Sequence, residues 1–375
     1  MADELILVGS IPMDTAEEVF RTFAPALGDN LAYIPDGEIN DRRYWIEGIA
    51  YRVLHGHPEL ETLKRPAPDE HGPDTWRPLN VNDRFDFKVK DGVKTVRFGD
   101  PGWRLGYTKD AIASYFVFKT LKRDGVIPKH VRFQVCMPSA VSACASHFPD
   151  PADRDKVVPG MAAAFRAEIA EMVRHIPPAE LAIQWDLAVE NRFVETAIDK
   201  DGLDAGRAMA DWCAETAGEL CAAIPPETAV GIHNCFSTIN GWPSRQPADM
   251  TGSVMVLNPI IAAAGRKVDF IHFPTVGAAS DSFFKPLKDL DVRDARIYVG
   301  SIHHLHGKAG MRAQLEAVKR YIPDFGLGAP CGFGRAPERP GRLLTDEGDA
   351  PPPDIIRVIL DDHKKALEIL HDVLG

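Results

Sequence analysis

AVGIHNC, residues Ala229–Cys235, is an apolar, β-branched run that closes on an imidazole, an amide and a thiol. A run this short, rich in Val and Ile, is strand length rather than helix length. The same design recurs along the chain in LILVGS (Leu5–Ser10), LAYIPDGE (Leu31–Glu38), VRFQVCMPS (Val131–Ser139) and LAIQWD (Leu181–Asp186). It returns in VDFIHFP (Val268–Pro274), RIYVGSIHH (Arg296–His304) and GLGAPCG (Gly326–Gly332), which makes eight runs in all. Helical patterns lie between and after them, at Val158–His175, Gly206–Ala223, Gly310–Tyr321 and Pro353–Val373. In the last of these, Ile355, Ile356, Val358, Ile359, Leu367 and Leu370 recur at helical spacing. Strands alternating with helices imply βαβ units and a parallel sheet. Eight units fit a single (β/α)₈ TIM barrel of the α/β class better than an open doubly wound sheet. A dinucleotide fold would also open with GxGxxG after its first strand, and VGSIPMD is not that.

Arg65–Arg104 breaks the rhythm: it is rich in Pro and Asp, then reads FDFKVKDGVKTVRF. Asp91-Gly92 between alternating segments predicts a β-hairpin, so residues 65–104 are expected to form an insertion after the second βα unit. Internal repeats and low-complexity segments are absent from the sequence, and one domain over residues 1–375 is the expectation. The composition, 45% hydrophobic and 26% charged, is that of an ordinary globular protein. A net charge of -11, with the acidic residues scattered, argues against nucleic acid or an anionic membrane as partner. The chain does not open with a basic run and an apolar stretch, and it contains no 18-residue apolar segment. The expected address is the cytoplasm. Oligomeric state is not readable.

In such a barrel the C-terminal strand ends line the active site. Here they read Gly9-Ser10, Asp36-Gly37-Glu38, Pro138-Ser139, Trp185-Asp186, His233-Asn234-Cys235, His272, His303-His304-Leu305-His306 and Cys331-Gly332. Each has an ordinary alternative: a strand-end carboxylate also caps helices, and a serine also closes turns. Residues i and i+2 on a strand face one side, so His233 and Cys235 can reach one ion, with Cys331 bringing a second sulfur from the eighth strand end. Zinc takes such N and S ligands in tetrahedral geometry, whereas buried cysteines are otherwise inert packing. Of the six cysteines, Cys213 and Cys221 lie in a helical pattern and Cys136 inside a strand, which makes them structural; Cys144 is undecided.

At these residues the chain resembles the catalytic barrel of cobalamin-independent methionine synthases, within the group that includes uroporphyrinogen decarboxylase-like and zinc-dependent thiol alkyltransferases. The likeness rests on Gly9-Ser10, Gly37-Glu38, IQWD ending at Asp186, His233–Cys235 and PCGFGR (Pro330–Arg335). It implies zinc ligands at His233, Cys235 and Cys331, and a thiol acceptor bound as a thiolate that attacks an activated methyl or alkyl group. It also implies that Ser10, Glu38 and Asp186 grip the amino-acid part of that acceptor.

The sequence departs from the family pattern at several points. No glutamate stands in FIHFPTVG, where the family's fourth ligand falls; His272 is the candidate substitute, or else a hydrogen-bonded core histidine. Asp186 is followed by Leu187-Ala188 rather than Glu-Pro, and Met13 stands where an arginine is usual. The family's amino-terminal duplicate barrel has no counterpart in the 375 residues, so a folate donor is not expected. SIHHLHG (Ser301–Gly307) supplies His303, His304 and His306 for acid–base chemistry or for orienting the donor. The resulting expectation is a zinc-dependent methyl- or alkyltransferase that takes a small-molecule thiol acceptor and a methyl or alkyl donor. Two rivals remain: a metal-free lyase or decarboxylase using carboxylate and histidine acid–base pairs, and a non-catalytic small-molecule-binding barrel.

Overall fold

A computed structural model describes residues 3–40, 42, 45–66, 84–99, 104–236, 243, 246–276, 280–303, 307–333 and 354–375. Its strands are β1 (Leu5–Ile6), β2 (Tyr33–Pro35), β3 (Leu60–Lys64), β4 (Asp86–Val89), β5 (Arg132–Pro138), β6 (Leu181–Leu187), β7 (Ala229–Asn234), β8 (Phe270–Pro274), β9 (Arg296–Gly300) and β10 (Gly326–Gly328). Eight of them form one sheet in the spatial order β1, β10, β9, β8, β7, β6, β5, β2, paired in parallel throughout. A parallel bridge between Leu5 and Leu31 brings the two edges together. The sheet is a nearly closed α/β barrel flanked by helices, and each of the eight runs read from sequence falls on one of its strands, β6 extending one residue past its run.

Local chemistry fixes the elements. The helix Ala16–Leu27 starts where the Thr15 hydroxyl accepts from the Glu18 N–H while the Glu18 carboxylate accepts from the Thr15 N–H at 3.0 Å. Its Val19, Phe20, Phe23, Ala24 and Leu27 are buried at helical spacing. Strand β6 is buried at every position, as a barrel strand covered on both faces must be.

Polar side chains also enter this core. Gln134 Nε2 donates to Gln184 Oε1 (2.9 Å) and to the Leu7 carbonyl (3.1 Å). Gln184 Nε2 donates to the Val8 carbonyl (2.6 Å) and to Asp186 Oδ1 (2.8 Å). Buried amides of this kind need partners, and this ladder ends on a carboxylate.

An antiparallel pair lies after the second unit, as expected, but the pairing differs from the one the sequence suggests. β4 pairs with β3, which precedes Arg65, rather than with residues after Asp91-Gly92. Asp91-Gly92 does turn, with Val93 N–H on the Lys90 carbonyl at 3.2 Å. The chain beyond the turn docks instead on the helix Pro151–His175: Val96 N–H reaches the Lys156 carbonyl at 2.9 Å. A Cβ on Gly160 of that helix would lie 1.9 Å from the Val96 carbonyl oxygen, so only glycine permits this approach.

The C-terminal helix, Ile355–Leu374, buries Ile359, His363, Ala366, Ile369, Leu370 and Val373. Among the described residues, no helix is long and apolar enough to cross a membrane. His363 is fully buried, with Nδ1 at 2.8 Å from the Ile359 carbonyl. Burial pushes its pKa down to about 4. The unfolded chain therefore binds a proton, from about pH 6.5 down to about 4, that the folded chain does not. Stability falls across that window as pH drops. Urea unfolding of the wild type is expected to lose about 2 kcal/mol more between pH 7 and pH 5 than unfolding of His363→Gln.

Candidate metal centre

Strand register builds the site. Asp186 on β6 is aligned with His233 on β7, and His233 with His272 on β8, so the three lie in one row across the sheet. Cys235 follows β7 on the same side as His233, its N–H held by the Leu187 carbonyl at 3.0 Å. Cys331 arrives beyond β10. Phe333 N–H donates to the Ser10 carbonyl at 2.8 Å, which straps this segment to the end of β1. A Cβ on Gly332 would lie 2.1 Å from Ser10 Oγ, so the missing side chain allows the two loops to touch.

His233, Cys235 and Cys331 converge, each offering one ligand atom within 4.8 Å of the others. Cys235 and Cys331 bring their Sγ atoms to 3.4 Å. Tetrahedral zinc with Zn–S bonds of about 2.3 Å separates two sulfurs by roughly 3.8 Å, so the pair stands near ligand spacing. His233 Nε2 is buried and has no hydrogen-bond partner among the described residues. Two sulfurs and an unpaired imidazole nitrogen suit a borderline-soft divalent cation, and the residues present fit zinc.

His272 stands behind His233. Its Nδ1 lies 2.7 Å from His233 Nδ1, and it is not part of the three-residue ligand group. Burial and the neighbouring His233 hold its pKa well below the ordinary histidine range.

A pocket lies over these residues, lined by Val8, Gly9, Ser10, Glu38, Trp45, Asp186, His233, Cys235, Cys331 and Gly332. It gathers six of the ten residues singled out from sequence. Gln184 fixes the Asp186 carboxylate from below. Glu38 adopts φ 53°, a left-handed conformation costly for a non-glycine residue. Asp36 helps to secure it: Asp36 Oδ1 accepts from the Glu38 N–H at 3.1 Å. Arg42 Nη2 meets Asp36 Oδ2 at 2.5 Å, and the Ser114 hydroxyl donates to the same oxygen at 2.6 Å. Arg42 also bonds Asp110 at 3.1 Å, and these carboxylates together with Glu38 hold its guanidinium charged despite burial.

His303 is buried beyond the end of β9 and is not among the lining residues. His304 and His306 lie outside the described residues. Sequence reading missed Trp45, which lines the pocket at φ 51°. It also missed Arg42 and Tyr107, the latter a buried phenol whose pKa is raised by burial and by the nearby Glu38 and Asp186 charges. None of the three carries a local pattern that could have flagged it.

The sequence matches no family model and no curated protein. Among solved structures it is similar to a B12-independent methionine synthase from Shewanella sp. W3-18-1, described in complex with selenomethionine. The two share 13% identity and a TM-score of 0.55, over 96% of this chain and 88% of that one. A methyltransferase from Methanosarcina mazei also matches, at 9% identity and TM-score 0.46, over 98% of this chain and 95% of the other. The fold is thus shared with a methionine synthase, in line with the motif resemblance.

Removing one partner of a buried ion pair strands the other charge. Arg42→Met is expected to cost roughly 3–5 kcal/mol in urea unfolding, and Arg42→Met with Asp36→Asn distinctly less.

Proposed function

We propose that this protein is a zinc-dependent methyl- or alkyltransferase acting on a small-molecule thiol. The observation that carries this reading is the convergence of His233, Cys235 and Cys331 within 4.8 Å beneath a pocket lined by two carboxylates. Zinc held by these three residues would supply the positive charge that makes a bound thiol a thiolate at neutral pH.

The remaining work falls to side chains. Glu38 and Asp186 face the same pocket as the thiols and leave it acidic, which favours an acceptor bearing an ammonium group. Ser10 offers a hydroxyl beside them to fix that acceptor's orientation. The acceptor sulfur forms a bond to the methyl or alkyl carbon as that carbon's bond to the donor heteroatom breaks. The electron pair leaves with the heteroatom, and a histidine of the His303–His306 segment delivers the proton that neutralises it. His272 is assigned a supporting role rather than a fourth ligand position.

Metal analysis of the purified protein is expected to find about one zinc per chain. Cys235→Ser should lose the metal, and its thiol alkylation should fall by more than the roughly 10–100-fold typical of outer-shell changes. Metal retained in that variant counts against the reading. A metal-free protein whose rate follows His and Asp titration would favour the lyase rival, and binding without turnover in an acceptor screen would favour the non-catalytic one. Asp186→Asn removes one charged partner of the acceptor's amine. Its KM for an amino-thiol is expected to rise about 10-fold or more, while its zinc content stays at the wild-type level.

A further inference from the structure

The contact between His233 and His272 carries more than packing. Their rings face each other through Nδ1 at 2.7 Å, with centroids 4.7 Å apart and planes inclined by 49°. Two imidazole nitrogens at that distance share one proton, which leaves two arrangements. If His272 donated, His233 would carry its proton on Nε2, a buried N–H without an acceptor among the described residues. His272 would then turn an Nε2 lone pair towards the Ala329 carbonyl, which lies near it, though short of strict hydrogen-bond geometry. If His233 donates, its own Nε2 is left as a lone pair and the opposition of lone pairs at the Ala329 carbonyl is relieved. The N–H passes to His272 Nε2, which has no hydrogen-bond partner of strict geometry among the described residues. His272 then directs an N–H at that carbonyl, and His233 presents its Nε2 lone pair to a cation.

The seat of the His272 ring is built for this placement. A Cβ on Gly300 would lie 2.8 Å from His272 Nε2, and one on Gly328 would lie 3.2 Å away. Glycine on the neighbouring β9 and on β10, the strand beyond it, opens the slot. Ala329 follows β10 on the segment that leads to Cys331.

We propose that His272 is a positioning residue that holds His233 in its Nδ1–H tautomer and so presents Nε2 as the metal-binding atom. Metal-ligating histidines commonly donate their second nitrogen to a fixed acceptor, and here a neutral imidazole takes the place usually held by a carboxylate or carbonyl. The inference rests on the metal-site reading above, but its first test needs no metal.

In metal-free wild-type protein with 15N-labelled histidine, long-range N–H correlation spectra should show His233 protonated at Nδ1. In His272→Phe, which keeps a ring but no acceptor, His233 should move towards the Nε2–H form that free imidazole prefers. Zinc affinity by chelator competition should fall about 10–100-fold. His272→Asn restores an acceptor facing His233 and should recover most of both effects, which bulk or folding alone would not produce. An Nε2–H tautomer in the wild type overturns the proposal, as does wild-type zinc affinity in His272→Phe. If the wild type binds no zinc, the metal reading fails by itself, and the spectra still decide the tautomer.

Discussion

The parallel register of β6, β7 and β8 is the constraint on which the rest of the site depends. In a parallel sheet, residues at the same level stand side by side on one face. Asp186, His233 and His272 share such a level although long helical connections separate them in the chain. A slip of one residue in β7 would turn His233 and Cys235 outward together. The register is held by burial: β6 and β7 are enclosed along their whole length, and a Cβ on Gly231 would lie 1.9 Å from the Phe270 ring across the strand pair. The packing that makes the barrel stable is thus the same packing that aligns the polar row at its mouth.

Much of this was legible in the sequence because it depends on short-range periodicity. Runs such as LAIQWD can be little else than covered strands, and the i, i+2 spacing of His233 and Cys235 fixes their common face. The pocket's acidic wall was legible in its residues but not in its construction. Glu38 lines the pocket from a left-handed conformation secured by Asp36, and Asp36 is in turn charge-balanced by Arg42 and hydrogen-bonded by Ser114. Those partners come from a separate loop and helix, and no local spacing predicts them. The insertion shows the same limit. Asp91-Gly92 turns as its chemistry demands, yet the segment after it is claimed by the helix Pro151–His175, and β4 takes β3 as its partner. His272 reads from sequence as the substitute ligand, with a hydrogen-bonded core histidine as its near rival. Both roles require the same buried strand position, where His272 Nδ1 meets His233 Nδ1 at 2.7 Å.

The electrostatics of the pocket bear on the choice between a metal-assisted and a metal-free chemistry. Cys136 lies on the barrel interior next to this site, its thiol 3.4 Å from the Val8 carbonyl oxygen. Burial first, and then the charges of Asp186 and Glu38, push its pKa well above the ordinary thiol value. A guest thiol entering between the same two carboxylates meets the same opposition to ionisation. An acid–base pair drawn from the lining must work against that field to make a thiolate. Arg42, the buried cation of this region, is already engaged by Asp36 and Asp110. A divalent ion on His233, Cys235 and Cys331 would reverse the sign of the field where the acceptor sulfur would sit. The carboxylates would then be left to hold the acceptor's ammonium group. The acidic wall and the soft-ligand cluster are complementary under that reading, and under a metal-free thiol chemistry they oppose each other.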